Sequence, residues 1–240
     1  MTVVPYKNSE GDKKSQVAQM FNSIAGKYDF LNHFLSAGID IIWRKKAISL
    51  LAPAKPATIL DIATGTGDFA LEALKLNPTK ITGVDISEGM LEVGRQKISK
   101  KGLTDKIELK TGDSENLEFA DNSFDAVMAA FGVRNFGNLP KGLSEMYRVL
   151  KPGGTILILE FSKPKAFPFK QAYNFYFKQI LPVFGKLISK DSAAYTYLPE
   201  SVQAFPDGQD FLSILKQTGF NDTKWHSLTF GISSIYMGKK

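Results

Sequence analysis

Two periodicities divide the chain. From Val17 onward the apolar positions Met20, Phe21, Ile24 and Tyr28 recur at spacings of three and four, the signature of an amphipathic helix. A second helix is predicted over 40–51, ending ahead of Pro53 and Pro56. Short apolar runs then take over: ATILDI (57–62), KITGVD (80–85), KIELKT (106–111), FDAVMAA (124–130) and TILILE (155–160). Helical stretches over 68–76, 88–101 and 138–150 separate several of them. Strands that alternate with helices join through right-handed crossovers, which predicts a parallel, doubly wound sheet. A further helix over 208–217 precedes TKWHSLTF and ISSIYMG, which flank Gly231 and read as a closing antiparallel pair. The expectation is an α/β chain with a mostly parallel seven-stranded sheet and helices on both faces. A polar arm (1–14) leads into a single domain (15–240), with a helical lid at 15–52 and a helical, aromatic and basic insertion at 161–205.

Composition narrows the class. At 43% hydrophobic and 22% charged residues the chain is ordinarily globular, and no apolar run reaches the roughly 18 residues of a membrane span. The first residues, MTVVPYKNSEGDKKS, lack the apolar core of a secretory signal, so the cytoplasm is the expected compartment. With no cysteine, and with His33 and His226 far apart, neither a thiol nucleophile nor a metal site is expected. The net charge of +6 favours anionic surfaces or ligands. No nucleic-acid partner is expected, because the basic residues cluster in an apolar segment that matches no RNA-binding module.

Chemistry concentrates where the strands end. The first strand runs into Asp61-Ile62-Ala63-Thr64-Gly65-Thr66-Gly67-Asp68 and then a helix, a turn whose glycines let a ligand approach the backbone. The second strand ends on Asp85, spaced to accept both hydroxyl protons of a ribose. The third is followed by Gly112-Asp113-Ser114, placed to meet an adenine edge. Gly65-x-Gly67-x-x-Ala70 also satisfies the dinucleotide fingerprint, and Tyr147-x-x-x-Lys151 has the spacing of a short-chain dehydrogenase pair. Lys151 is followed at once by Pro152-Gly153-Gly154, however, so that pair lies at a helix end away from the loop. Asp61 and Asp68 beside the glycines would repel a pyrophosphate but suit a cationic methionine end.

Together with GVDISEGML, GDSENLEF, FDAV and LKPGG, the glycine turn resembles the Rossmann-like class I methyltransferases. The strings MFNSIAGKYDFLN (20–32), FGVRNF (131–136) and MYRVLKPGGTILILEFSKP (146–164) are similar to the C-methyltransferases of menaquinone and ubiquinone biosynthesis. The resemblance spans the chain after the polar arm. It implies S-adenosylmethionine as methyl donor and a ring carbon of a polyprenyl demethylquinol as acceptor, with demethylmenaquinol preferred over the ubiquinol precursor. It implies cofactor contacts at Thr66, Asp85, Asp113 and Ser114, with Asp61, Gly65 and Gly67 shaping the methionine end. Ala130 stands where some relatives carry a serine, so any contact there is apolar or through the backbone.

A hydroquinol carbon becomes nucleophilic as its hydroxyl loses a proton, so the acceptor site requires a base or a cation beside the phenolate. Arg134 is the first candidate for charge stabilisation, since a guanidinium stays protonated. Tyr28, Asp29 and Asn32 are the next candidates, on the lid segment: Tyr28 is expected to cover the methionine end and Asp29 or His33 to take a proton directly or through water, while Asn135 either shapes the turn or touches substrate. Residues 161–190 hold six lysines, no Asp or Glu, and the aromatics Phe167, Phe169, Tyr173, Phe175, Tyr176 and Phe177. Either this segment packs into a local core, or it lines an apolar channel and rests on the anionic inner face of the plasma membrane. A homodimer is compatible with such a fold.

Overall fold

The computed structural model describes residues 3–7, 9–180 and 193–240. Strands β1 (Thr58–Ile62), β2 (Lys80–Asp85), β3 (Ile107–Thr111), β4 (Phe124–Ala130) and β5 (Leu150–Phe161) are parallel neighbours. β6 (Asn221–Leu228) and β7 (Ser233–Lys239) close the sheet, β7 running antiparallel to both β5 and β6. The order is β3-β2-β1-β4-β5-β7-β6, as the predicted crossovers and terminal pair require. From β1 the chain steps outward to β2 and β3, then returns to place β4 on the other side. That reversal opens a crevice beyond the carboxyl ends of β1 and β4.

Two apolar layers sandwich the sheet. One face buries Leu60, Val127, Ile156 and Tyr236 beneath α6 (Leu139–Val149) and α9 (Gln209–Thr218). The other buries Ile59, Ile81, Met128 and Leu157 beneath α3 (Ile39–Leu51), α4 (Asp68–Ala73) and α5 (Glu88–Lys100). Covered on both sides, the central strands read as near-continuous apolar runs rather than alternating ones. Ser87 caps α5 by accepting from the Met90 amide, and Asn138 caps α6 by accepting from that of Lys141.

Two boundaries differ from expectation. Helix α1 begins at Lys13 rather than near Val17, because Asp12 accepts the Ser15 amide at 2.9 Å and caps it. Apolar periodicity cannot register a first turn made of two lysines and a serine. The preceding residues are also held: Val3 and Tyr6 pack beneath the lid, and the Tyr6 amide donates to Gln16 Oε1 at 2.9 Å. β5 starts at Leu150, five residues early, since Leu150 pairs with Phe124 and the Gly153 amide donates to the Lys240 carbonyl.

The lid comprises α1 (Lys13–Ile24), α2 (Tyr28–Leu35) and α3. The insertion contributes α7 (Phe169–Phe175), a π-turn (Tyr176–Ile180) and α8 (Ala193–Ala204). Tyr173, Phe177 and Tyr197 pack with Val17, Met20 and Leu31 in a third apolar cluster, so part of the aromatic segment is local core. Its lysines at 186 and 190 lie outside the described residues. Among the described residues no helix is long and apolar enough to cross a membrane.

Candidate active site

The turn after β1 is built around a carboxylate. Gly65, at φ +57°, donates its amide to Asp85 Oδ2 at 2.8 Å, while Ser87 donates its own to Asp85 Oδ1 at 2.8 Å. Burial raises the Asp85 pKa, against the lowering effect of these backbone donors. Gly67, at φ +80°, starts α4. Gly132 lies so close to the turn that a Cβ there would stand 2.4 Å from Ala63 Cβ.

Three cavities meet at Tyr28, which lines all of them. The first, about 670 Å³, runs past Gly65, Asp85, Asp113, Ser114, Ala130 and Asn135 beneath a roof of Lys14, Val17 and Phe21 from α1. Lys14 Nζ fastens that roof to Asp113 at 2.7 Å and Glu115 at 2.9 Å. Asn22 Oδ1 fastens its other end, accepting from the Gly89 amide and the Ser87 hydroxyl, each at 2.8 Å.

The second cavity to consider is small and polar, about 340 Å³, between Tyr28, Arg44, Asp61, Thr64, Thr66 and Asp68. Asp61 Oδ2 accepts from the Thr64 hydroxyl at 2.7 Å, whereas Oδ1 is buried with no hydrogen-bond partner among the described residues. Desolvation, aided by the neighbouring Asp85 charge, pushes the Asp61 pKa up to about 7. Arg44, held by Asp40 one helical turn back, brings its guanidinium to the same cavity. An orphaned carboxylate oxygen beside a guanidinium fits a zwitterion carrying both an ammonium and a carboxylate. The long first cavity, with Asp85 at its middle and Asp113 and Ser114 beyond, fits a nucleoside.

The third cavity, about 620 Å³, is apolar, lined by Met20, Leu31, Leu35, Phe131, Phe161, Tyr197 and others. Arg134 supplies its cation. Arg134 Nη1 donates to Glu160 Oε1 at 2.8 Å and to the Phe131 carbonyl, and its guanidinium lies 5.3 Å from the Phe161 ring centroid. Glu160 is fully buried and also accepts from the Phe161 amide. Arg134 is therefore both an ion-pair member at a strand end and part of the wall of the chamber. Its Nε is buried without a partner among the described residues. Burial pushes the Tyr28 phenol up to about 12, so at neutral pH it stays protonated.

The expectation that Asp29 or His33 faces the acceptor is corrected by their partners. Asp29 Oδ1 accepts from the Thr66 hydroxyl at 2.5 Å and Oδ2 pairs with Lys97 at 2.6 Å. His33 Nδ1 lies 2.8 Å from Asp40, and its Nε2 is 3.5 Å from Asp68. Both line an open hollow with Lys97 and Asp68, clear of the apolar chamber, and bind the lid to the sheet. Asn32 does line the chamber, while Asn135 faces the nucleoside-shaped cavity with its Oδ1 unpartnered among the described residues. Tyr147 packs on Phe220 and Lys151 pairs with Asp125, both remote from the crevice.

Arg44, Glu160 and Tyr197 escaped the sequence reading. Glu160 carried a usable signal, a carboxylate at the end of a central strand. Arg44 and Tyr197 carried none, because only tertiary packing carries their helices to the crevice.

Comparison with known proteins agrees with this geometry. The profile of the ubiE/COQ5 methyltransferase family matches residues 8–240. A demethylmenaquinone methyltransferase of Bacteroides fragilis is 52% identical over 99% of this chain and 97% of its own. A ubiquinone/menaquinone biosynthesis C-methyltransferase, UbiE, of Geotalea daltonii is 47% identical over 95% and 98%. Among solved structures, a Haemonchus contortus phosphoethanolamine N-methyltransferase 2 in complex with S-adenosyl-L-methionine shares the fold. Its TM-score is 0.56 at 19% identity, over 76% of this chain and 48% of that one. A sheet of this order, a carboxylate-tied glycine turn and a match over nearly the whole length place the chain in the ubiE/COQ5 family of S-adenosylmethionine-dependent methyltransferases.

Proposed function

We propose that this chain transfers the methyl group of S-adenosylmethionine to a ring carbon of a polyprenyl demethylmenaquinol, giving menaquinol. The observation that carries this reading is the apolar chamber sharing Tyr28 and Phe131 with the nucleoside-shaped cavity, with one guanidinium in its wall. When bound, S-adenosylmethionine supplies an electrophilic methyl group on a sulfonium. The residues of the chain do the rest. Asp85 accepts the ribose hydroxyls, and Asp113, Ser114 and the apolar Ala130 hold the base side. Asp61 Oδ1 accepts from the ammonium of the methionine end, Arg44 pairs with its carboxylate, and the Thr66 backbone lines the same pocket. Tyr28 closes the junction between donor and acceptor cavities and excludes water there.

On the acceptor side Arg134, aimed by Glu160, stabilises the charge left on the ring oxygen when its proton passes to solvent water; after methyl transfer the methylated carbon gives its own proton to water and the ring regains aromaticity. In a low-dielectric chamber such a fixed cation lowers the barrier far more than it would in water. The Asn135 backbone amide closes the turn that carries Arg134 by donating to the Gly132 carbonyl at 3.0 Å.

A long-tailed quinol partitions into the bilayer, and we infer that the enzyme works as a peripheral protein on the cytoplasmic membrane face. Phe34, Ile42, Phe175 and Phe230 are exposed large apolar side chains. Their neighbours are joined: Tyr176 donates to the Leu35 carbonyl at 2.7 Å, and Trp43 to Thr229 Oγ1 at 2.8 Å. Exposed Lys45, Lys46, Lys165 and Lys170 flank them, suiting anionic lipid.

The test pairs two short-tailed acceptors, demethylmenaquinol and the demethylated ubiquinol precursor, each with S-adenosylmethionine and read by mass spectrometry. A gain of one methyl on the naphthoquinol is expected. Methylation of neither ring, by protein that binds the cofactor, would overturn the acceptor assignment.

A further inference from the structure

Helix α8 brings Tyr197 to the apolar chamber, which it lines together with Arg134. The side chain is 3% exposed, and its hydroxyl is buried with no hydrogen-bond partner among the described residues. Packing alone does not call for this residue. The surrounding aromatics include Phe131, Phe161 and Phe177 beside Tyr28, Tyr173 and Tyr176, and a phenylalanine would fill the site without burying an unsatisfied O–H. The hydroxyl also lies within the field of Arg134 and Glu160, and Tyr197 shares with Tyr28, Asn32 and Arg134 the polar part of a largely apolar lining. Arg134 Nε is likewise buried and without a partner among the described residues.

We propose that the Tyr197 hydroxyl binds the second ring oxygen of a dihydroxylated aromatic acceptor, opposite the oxygen held by Arg134. This rests on the acceptor reading above. A planar ring held at one oxygen can still swivel in its plane; held at two, only one carbon edge faces the methyl donor. Tyr197 is thus a binding and orienting residue. Burial pushes its pKa up to about 12, so near neutral pH it acts as a hydrogen-bond donor. The preferred ligand is a hydroquinone, and a ring that lacks the second oxygen loses the contact.

The test uses the full chain with saturating S-adenosylhomocysteine and two probes under anaerobic conditions: a short-tailed naphthohydroquinone and the matching naphthol that lacks the oxygen remote from the methylated carbon. Tryptophan fluorescence reports binding. Wild type should bind the dihydroxy ring about tenfold more tightly than the naphthol, as one buried hydrogen bond allows. Tyr197→Phe should lose that advantage, bind the naphthol as wild type does, and keep cofactor affinity. Tyr173→Phe, a second buried phenol that lacks a partner among the described residues but does not line the chamber, should keep the discrimination. Equal affinity of wild type for the two probes overturns the proposal without any variant. So does an unchanged preference in Tyr197→Phe, or an equal loss in Tyr173→Phe. Binding of neither probe by wild type that binds the cofactor would instead sink the acceptor reading, and the role of Tyr197 with it.

Discussion

Asp61 and Asp85 stand in neighbouring strands at the mouth of the crevice, both buried and both shifted upward. For Asp61 the folded pKa of about 7 exceeds the ordinary 3.8, so the native chain retains a proton that the unfolded chain releases. Its contribution to stability is complete below about pH 4 and is lost as pH rises through 7. Asp61→Asn should flatten that part of the stability curve, measurable by urea melts between pH 5 and 8. The ionised form is the one that suits a cationic methionine end, so S-adenosylmethionine should bind about tenfold more tightly at pH 8 than at pH 6, with proton release. Calorimetry in buffers of different ionisation enthalpy reads both; a pH-independent affinity would remove Asp61 from the methionine end. Asp85→Ala discards a carboxylate that also ties Gly65 and Ser87, and the cofactor dissociation constant should rise 10- to 100-fold, roughly the worth of one or two charged hydrogen bonds. Arg134→Ala strands a fully buried Glu160, at a cost of about 3–5 kcal/mol, so its melting temperature should fall by about 10 °C. Arg134→Lys keeps the charge without the planar fork. It should fold, bind cofactor normally and turn over at least about tenfold more slowly. Normal turnover would reduce Arg134 to a structural ion pair.

At the scale of elements, α3 packs on the sheet through an apolar face, whereas α2 is tied to its surroundings by polar contacts. Asp29 joins α2 to Thr66 in the glycine turn and to Lys97 on α5, while His33 and Arg44 converge on Asp40. Asp29→Ala removes two ties, each worth about 1 kcal/mol at most when partly exposed. Amide exchange across 28–35 should speed by roughly fivefold or more, with cofactor affinity falling to a similar extent. Unchanged exchange would mean that packing alone holds α2. The chain between β4 and Arg134 tolerates even less. A Gly132→Ala side chain meets Ala63 in the glycine turn, and overpacking of this kind costs about 1–3 kcal/mol, visible as a lowered melting temperature. The strands and most helices were legible in sequence because burial on both faces writes long apolar runs and caps punctuate them. The start of α1 was not, since its first turn is polar and its stability comes from Asp12 and from contacts with distant loops.

Across the whole molecule, the chain carries a net charge of +6, and Phe34, Ile42, Phe175 and Phe230 are exposed large apolar side chains. Lysines near an anionic surface contribute about 1 kcal/mol each, so phosphatidylglycerol-rich vesicles should sediment the protein at low salt and neutral vesicles much less. Replacing Phe34, Ile42 and Phe230 together by serine should weaken sedimentation without lowering activity on a short-tailed acceptor in detergent; unaltered sedimentation would move the membrane contact elsewhere. The sequence by itself determined the sheet, its crossovers and the strand-end residues that meet at the crevice, because these depend on local periodicity and on turn residues at strand ends. Asp61, Gly65, Asp85, Asp113 and Ser114 all come from consecutive strand-end turns, so neighbours along the chain are neighbours around the two polar cavities. Only the tertiary structure decided the lining of the apolar chamber. Tyr28, Arg134 and Tyr197 come from segments more than 60 residues apart, and no local pattern says which way an amphipathic lid helix turns its polar residues. Asp29 and His33 stand beside Tyr28 and Asn32 in sequence yet point into another hollow, since 3.6 residues per turn sends neighbours on a helix to different faces.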